Sequence, residues 1–182
     1  MVVLLEGKRV VLPADVEKLV TLGRRLTEAS RHMLFRSGNA SGADAFFGQG
    51  VVSVDPSRFQ AVVPYDGHRT ANNHAGQTVS LDGIDLASEP DVVYESRQHR
   101  KTAALVDKYV AGQRDRFAIK AAYILRDTVK VLGAAGLPAA GFAIFYDDLS
   151  NPGQGGTGHT MQVCRRNNVP LIDQRVWFEW VR

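Results

Sequence analysis

Two glycine-rich turns, "SGNASGAD" from Ser37 to Asp44 and "GQGGTGHT" from Gly153 to Thr160, constrain the fold of this chain most strongly. The first joins the apolar run "HMLF" to a helical pattern, and the second follows "GFAIFY" and leads into "MQVCRRNN". Glycines between a strand and a helix let backbone N–H groups converge on an anion, to which the helix N-terminus adds partial positive charge. One such turn also serves a tight bend or close helix packing. Two in one chain point to a shared pocket for a phosphate-bearing ligand.

The rest of the chain alternates between the two periodicities. Val16, Leu19, Val20, Leu22 and Leu26 recur at helical spacing after Pro13, which predicts an amphipathic helix over about 14–29. "RHMLFRS" reads as a short strand, and "GADAFFGQGV" as a helix ending near Gly48 or Gly50. Residues 59–67 read as a second strand broken by Pro64 and Gly67, and 68–90 as a polar surface excursion. "EPDVVYESRQHRKTAALVDKYVAG" and "FAIKAAYILRDTVKVLGAAG" predict one helix each. "AAGFAIFY" predicts an apolar strand, "GGTGHTMQVCRRNN" a helix, and "VPLIDQ" a last short strand. The closing "VWFEWV" reads first as packing against the core and next as a contact between subunits. Strands separated by helices require crossover connections. The expected class is therefore α/β: a Rossmann-like three-layer sandwich whose mainly parallel sheet is covered on both faces by helices, with ligands beyond the carboxyl ends of the strands.

A length of 182 residues with 45% hydrophobic content predicts a single domain over 1–182. The net charge of +3 is spread among interleaved carboxylates and forms no basic track, so nucleic acid is the less favoured partner. No stretch approaches the ~20 apolar residues of a membrane span, and the start has no leader-like run, so no membrane partner is expected. The single cysteine, Cys164, forms no internal disulfide, and with it a reducing, cytoplasmic setting is expected. It lies inside a predicted helix and reads as a buried small hydrophobe. No His-x-x-x-His pair or acidic cluster has ligand spacing, so no metal site is expected, and no cofactor is assigned.

The two turns resemble the signatures of the SLOG superfamily, which unites the DNA-processing protein DprA with the LOG phosphoribohydrolases. The first signature, Ser-Gly-Gly-Ala-x-Gly-Ala-Asp, is matched by Ser37-Gly38-Asn39-Ala40-Ser41-Gly42-Ala43-Asp44, with Asn39 in place of a glycine. The second, Gly-Gly-Thr-Gly before a helix and an "Ile-Pro-Val" strand, is matched by Gly155-Gly156-Thr157-Gly158 and "NNVPLI". Asn tolerates unusual backbone angles, so the first turn should survive the replacement. The resemblance implies a nucleotide pocket between the turns. Its expected binding residues are Ser37, Gly38, Asn39, Ala40, Gly42, Asp44, Gly155, Gly156, Thr157 and Gly158, joined by Arg126 and by His159 at the start of the helix.

LOG enzymes place an arginine before the last glycine turn and a glutamate after it. Arg126 occupies the first position, with pairing to Asp127 as its structural alternative, but Gln162 occupies the second and cannot exchange a proton. Asp147 and Asp148 are the candidate substitutes, and His68 and His74 in the polar excursion stay outside the site. The leading expectation is a binder of a nucleotide or related phosphorylated small molecule, a sensor or accessory protein that forms a homodimer. A LOG-type nucleotide phosphoribohydrolase and a DprA-type DNA-binding protein are the alternatives, and catalytic residues are unassigned.

Overall fold

The computed structural model describes residues 1–182. Its six strands are β1 (Val2–Gly7), β2 (Leu34–Ser37), β3 (Phe59–Val63), β4 (Gln77–Ser80), β5 (Phe142–Tyr146) and β6 (Leu171–Ile172). They form one sheet in the order β4-β3-β2-β1-β5-β6, and every pairing is parallel. Seven α-helices accompany it: α1 (Val16–Ala29), α2 (Ala43–Val52), α3 (Pro90–Arg97), α4 (Ala103–Val110), α5 (Ile119–Leu132), α6 (Gly155–Arg166) and α7 (Gln174–Trp177).

The sheet is buried on both faces, as the alternation of strands and helices predicts. On one face Val3, Leu5, Phe35 and Ile144 pack with Leu19 and Leu22 of α1, Phe47 and Val51 of α2, and Trp177 of α7. On the other, Val2, Leu4, Ala143 and Phe145 pack with Met161, Val163 and Cys164 of α6 and Val131 of α5. A third cluster joins Val62 to α3, α4 and α5. The fold is a Rossmann-like three-layer sandwich.

Several elements differ from the sequence expectation. The run "VVLLEG" forms β1, the central strand, although it carries no alternation, because a parallel strand covered on both faces is continuously apolar. The excursion over 68–90 contains the edge strand β4, which is polar because its outer edge is open. The helix expected over residues 89–112 is two, α3 and α4, divided where Thr102 N–H bonds to His99 O (2.9 Å) and the Thr102 hydroxyl meets His99 Nδ1 (2.7 Å). β3 stops at Val63, before Pro64, which has no N–H to give to a ladder. α2 continues to Val52 past Gly48 and Gly50, since these glycines serve packing: a Cβ at Gly50 would collide with the Val20 carbonyl of α1.

The chain runs outward from β1 through β2 and β3 to β4, then returns to place β5 on the other flank of β1. The carboxyl ends of β1 and β5 therefore form a topological switch point, where adjacent connections leave in opposite directions and open a crevice.

Candidate functional site

A cavity of about 900 Å³ occupies that crevice. Its floor is the end of β1, Glu6 and Gly7, its walls are Arg126, Asp127 and Lys130 of α5 and the start of α6, and Val10, Leu12, Leu149 and Phe178 add apolar surface.

The second glycine turn meets this cavity with unused donors. Gly158 is the first residue of α6 to bond back within the helix, to Gln154 O at 3.3 Å, which leaves the N–H groups of Gly155, Gly156 and Thr157 without helical partners. Gly155, with φ of +66°, and Gly156 are exposed, and Gly155, Gly156 and Thr157 all line the cavity. Asp147, at the end of β5, shapes the preceding loop by accepting from Gly153 N–H (2.7 Å) and Asp148 N–H (2.9 Å). Lys8 spans the opening, donating to Gln154 O (2.7 Å) and pairing with Asp147 (3.4 Å). Arg9 beside it is exposed at the rim.

The first turn is organised differently. Asp44 folds back from α2 so that its carboxylate accepts from Gly7 N–H (3.1 Å), Gly38 N–H (3.0 Å) and Ala40 N–H (3.3 Å). Asn39 N–H is taken by Ser37 Oγ (3.2 Å), and its φ of +53° is the left-handed conformation that asparagine tolerates. Of the six residues expected from this turn, Ala40 and Asp44 line the cavity, whereas Ser37, Gly38, Asn39 and Gly42 build the turn behind it. The bare Cα of Gly38 admits the Arg126 guanidinium, and Gly42, with φ of +85°, lies against the backbone of Arg9.

Arg126 pairs with Asp127, the structural alternative weighed for it, and also lines the cavity. Its Nε pairs with Asp127 at 3.0 Å, its Nη1 donates to Gly38 O and Val62 O at the ends of β2 and β3, and the residue lines the cavity. Lys130, one turn on, is shared between Asp127 (2.7 Å) and Glu6. Both ends of the Glu6–Lys130 pair are nearly sealed from solvent, with side chains 4% and 3% exposed. Burial pushes the Glu6 carboxyl up to about 7 against the pull of Lys130, with Asp44 and Asp127 adding to the rise. Burial also works against the Asp127 charge, but Arg126 and Lys130 together hold its carboxyl below the ordinary value. Arg36 completes the charged layer beneath α5, donating to Gln60 Oε1 (2.6 Å) and to Lys130 O (2.9 Å).

His159 is turned away from the cavity. It is buried against α5, with Nε2 3.4 Å from Thr128 Oγ1 and its ring edge-on to His99, and burial drives it down to about 4, a neutral imidazole. Gln162 is exposed on the outer side of α6 and does not line the cavity. Cys164 is fully buried, its thiol pushed up to about 12 by burial, which makes it a core residue. The sequence reading omitted Glu6, Lys8, Arg9, Asp127 as a wall residue, and Lys130. The "EGKR" sequence after an apolar run, at a strand end, was the available signal.

A second feature lies at the connection between α4 and α5. Phe117 is 48% exposed, with Arg116 4.6 Å and Lys120 6.0 Å from its ring, and Arg114 stacks 3.8 Å over Tyr109.

No helix is long and apolar enough to cross a membrane. No family model matches the chain, and no curated protein does. Among solved structures, the chain is similar to DNA processing protein A from Helicobacter pylori, described for its single-stranded DNA binding mode. The TM-score is 0.50 at 15% identity, over 95% of this chain and 64% of that one. This chain thus spans less than two thirds of its structural neighbour, and the likeness is one of fold.

Proposed function

We propose that the protein binds a nucleotide or related phosphorylated small molecule in the cavity between β1 and β5, with the phosphate at the start of α6. The observation that carries this reading is the set of three N–H groups without helical partners, Gly155 to Thr157, on residues that line the crevice at the switch point of a parallel sheet. Lys8 and Arg9 supply cationic charge at the rim, and Val10, Leu12, Leu149 and Phe178 offer apolar surface for a base. With Gln162 outside the cavity, the geometry supports binding over LOG-type base cleavage. Mass spectrometry of small molecules released on denaturing the purified protein tests the reading. A retained nucleotide or phosphate ester supports it, and failure of nucleoside monophosphates to bind in calorimetry overturns it.

The second reading, a DprA-type single-stranded DNA binder, is the one that the structural neighbour's described ligand favours directly. Phe117 with Arg116 and Lys120 supports it, since an exposed ring flanked by cations is a stacking platform for bases. Anisotropy with a labelled oligothymidine separates the two. Strand binding lost in Phe117→Ala and indifferent to AMP favours DNA on the α4–α5 connection, whereas AMP binding without strand binding favours the cavity. A homodimer is proposed alongside either reading, with the 43%-exposed Trp180 available to it, and light scattering at twice the chain mass is the expected result.

A further inference from the structure

Three carboxylates, Glu6, Asp44 and Asp127, converge beneath the cavity, but their partners are unequal. Asp44 is committed to three backbone N–H groups, and Asp127 has Arg126 in addition to Lys130. Glu6 pairs directly with Lys130, which it shares with Asp127. The anion seat is two contacts away. A Cβ on Gly156, at the start of α6, would stand 3.4 Å from Asp127 Oδ2, and Asp127 touches the lysine that touches Glu6.

We propose that Glu6 couples the cavity to protons: a phosphomonoester entering beside Asp127 and Lys130 is bound together with one proton, which Glu6 takes up. The inference rests on the phosphate-binding reading above and names a property of the same site. A dianion brought into this layer draws on Lys130 and Arg126 and adds negative charge beside Glu6, a buried carboxylate that already shares its lysine. Protonation of that carboxyl is the cheapest neutralisation available, because an ionised group in a dry interior is costly unless paired.

The surroundings of Glu6 support this assignment. Asp44 faces it from α2, Lys130 and Asp127 from α5, and both carboxylates raise its proton affinity. Arg36 faces it from β2, with Nε and Nη1 engaged by Gln60 and the Lys130 carbonyl and the buried Nη2 left without a hydrogen-bond partner. Cys164, from α6, stays a neutral thiol, and the β5 residue in register with Glu6 is the apolar Phe145. With a value already near 7, a modest further rise moves Glu6 across neutral pH. A neutral nucleoside brings no such charge and binds without the proton.

The test is calorimetric titration of AMP and of adenosine at pH 5 and pH 8, each in buffers of low and high ionisation enthalpy. For AMP at pH 8, where the phosphate is a dianion and Glu6 is mostly ionised, up to about one proton per site should be taken up; at pH 5 Glu6 is already protonated and takes up none, and the monoanionic ester entering as a dianion gives up its own proton instead. The AMP affinity should fall by up to about tenfold per pH unit above neutrality, while Glu6→Gln binds AMP with no such fall and no uptake at pH 8. AMP binding to the wild-type protein without proton uptake at pH 8, or uptake undiminished in folded Glu6→Gln, overturns the inference and leaves the binding reading intact. Absence of AMP binding at both pH values overturns the binding reading and this inference with it. The wild-type titrations decide the point even if the variant does not fold.

Discussion

The two glycine turns look alike in sequence and are used in opposite ways. Around the first, Asp44 gathers the N–H groups of Gly7, Gly38 and Ala40. Its donors are consumed, and the turn is a clasp that fixes the end of β2 to the end of β1. Around the second, a carboxylate also intervenes, but Asp147 binds only the loop ahead of the helix, at Gly153 and Asp148. The first-turn donors of α6 stay open to the cavity. A strand–glycine–helix pattern therefore reports a cluster of backbone donors, and the nearest carboxylate decides whether the fold consumes them or leaves them open.

Removing the clasp should have the largest effect. Asp44→Ala leaves three N–H groups without their acceptor, two of them at strand ends beside the cavity, and should cost about 3–5 kcal/mol in chemical denaturation. Full stability with lost AMP affinity would break the comparison by making Asp44 a ligand residue. Next comes Glu6, whose burial can be read through pH. Its folded value is raised from 4.5 to about 7, so its contribution to stability is complete below about pH 4.5 and is lost as pH rises through about 7. The stability of the wild type relative to Glu6→Gln should fall between pH 5 and pH 8 by at most about 3 kcal/mol. His159 works in the opposite sense: its value is lowered to about 4, so its contribution is present above about pH 6.5 and lost on acidification. The difference between the two proteins removes the His159 contribution, and a flat difference would mean that Glu6 does not titrate in this range.

A smaller contrast separates the turns themselves. Gly42→Ala places a Cβ against the Arg9 backbone at φ of +85° and should cost about 2–3 kcal/mol. Gly155→Ala meets open space at φ of +66° and should cost about 1 kcal/mol, the left-handed strain alone. Equal losses in thermal melts would remove the distinction between a packed and an open turn. The least effect belongs to Gln162→Glu. Placing a LOG-type glutamate on the exposed side of α6 should leave AMP binding within about twofold and yield no base release by chromatography. Release of free base would return Gln162 to the site.

Much of this was legible in the sequence, for physical reasons. The alternation of helical periods and short apolar runs specified a parallel sheet with two covered faces, and the turns marked its carboxyl edge. Asn39 was read correctly as a residue able to take the left-handed angle that the turn requires. β1 escaped because complete burial erases its alternation, and with it went Glu6, a charge that the same burial makes unusual. The use of Asp44 was hidden because one carboxylate serves three backbone groups on two strands and a turn. The Glu6–Lys130 pair joins residues 124 positions apart in chain order, which no local pattern announces. The position of His159 depends on how α6 is rotated about its axis, and the glycines before it leave that open.

The claim that the second turn, and not the first, seats an anion is tested most directly by calorimetric titration of AMP into three proteins: wild type, Gly156→Asp and Ser41→Asp. An aspartate at Gly156 sits in the first turn of α6, where a carboxylate suits the helix N-terminus and occupies the anion's place. An aspartate at the exposed Ser41 adds the same charge to the clasp. The prediction is AMP binding to wild type, a loss of at least about tenfold in folded Gly156→Asp, and a change within about twofold in Ser41→Asp. Unchanged affinity in folded Gly156→Asp, or an equal loss in both variants, would contradict it.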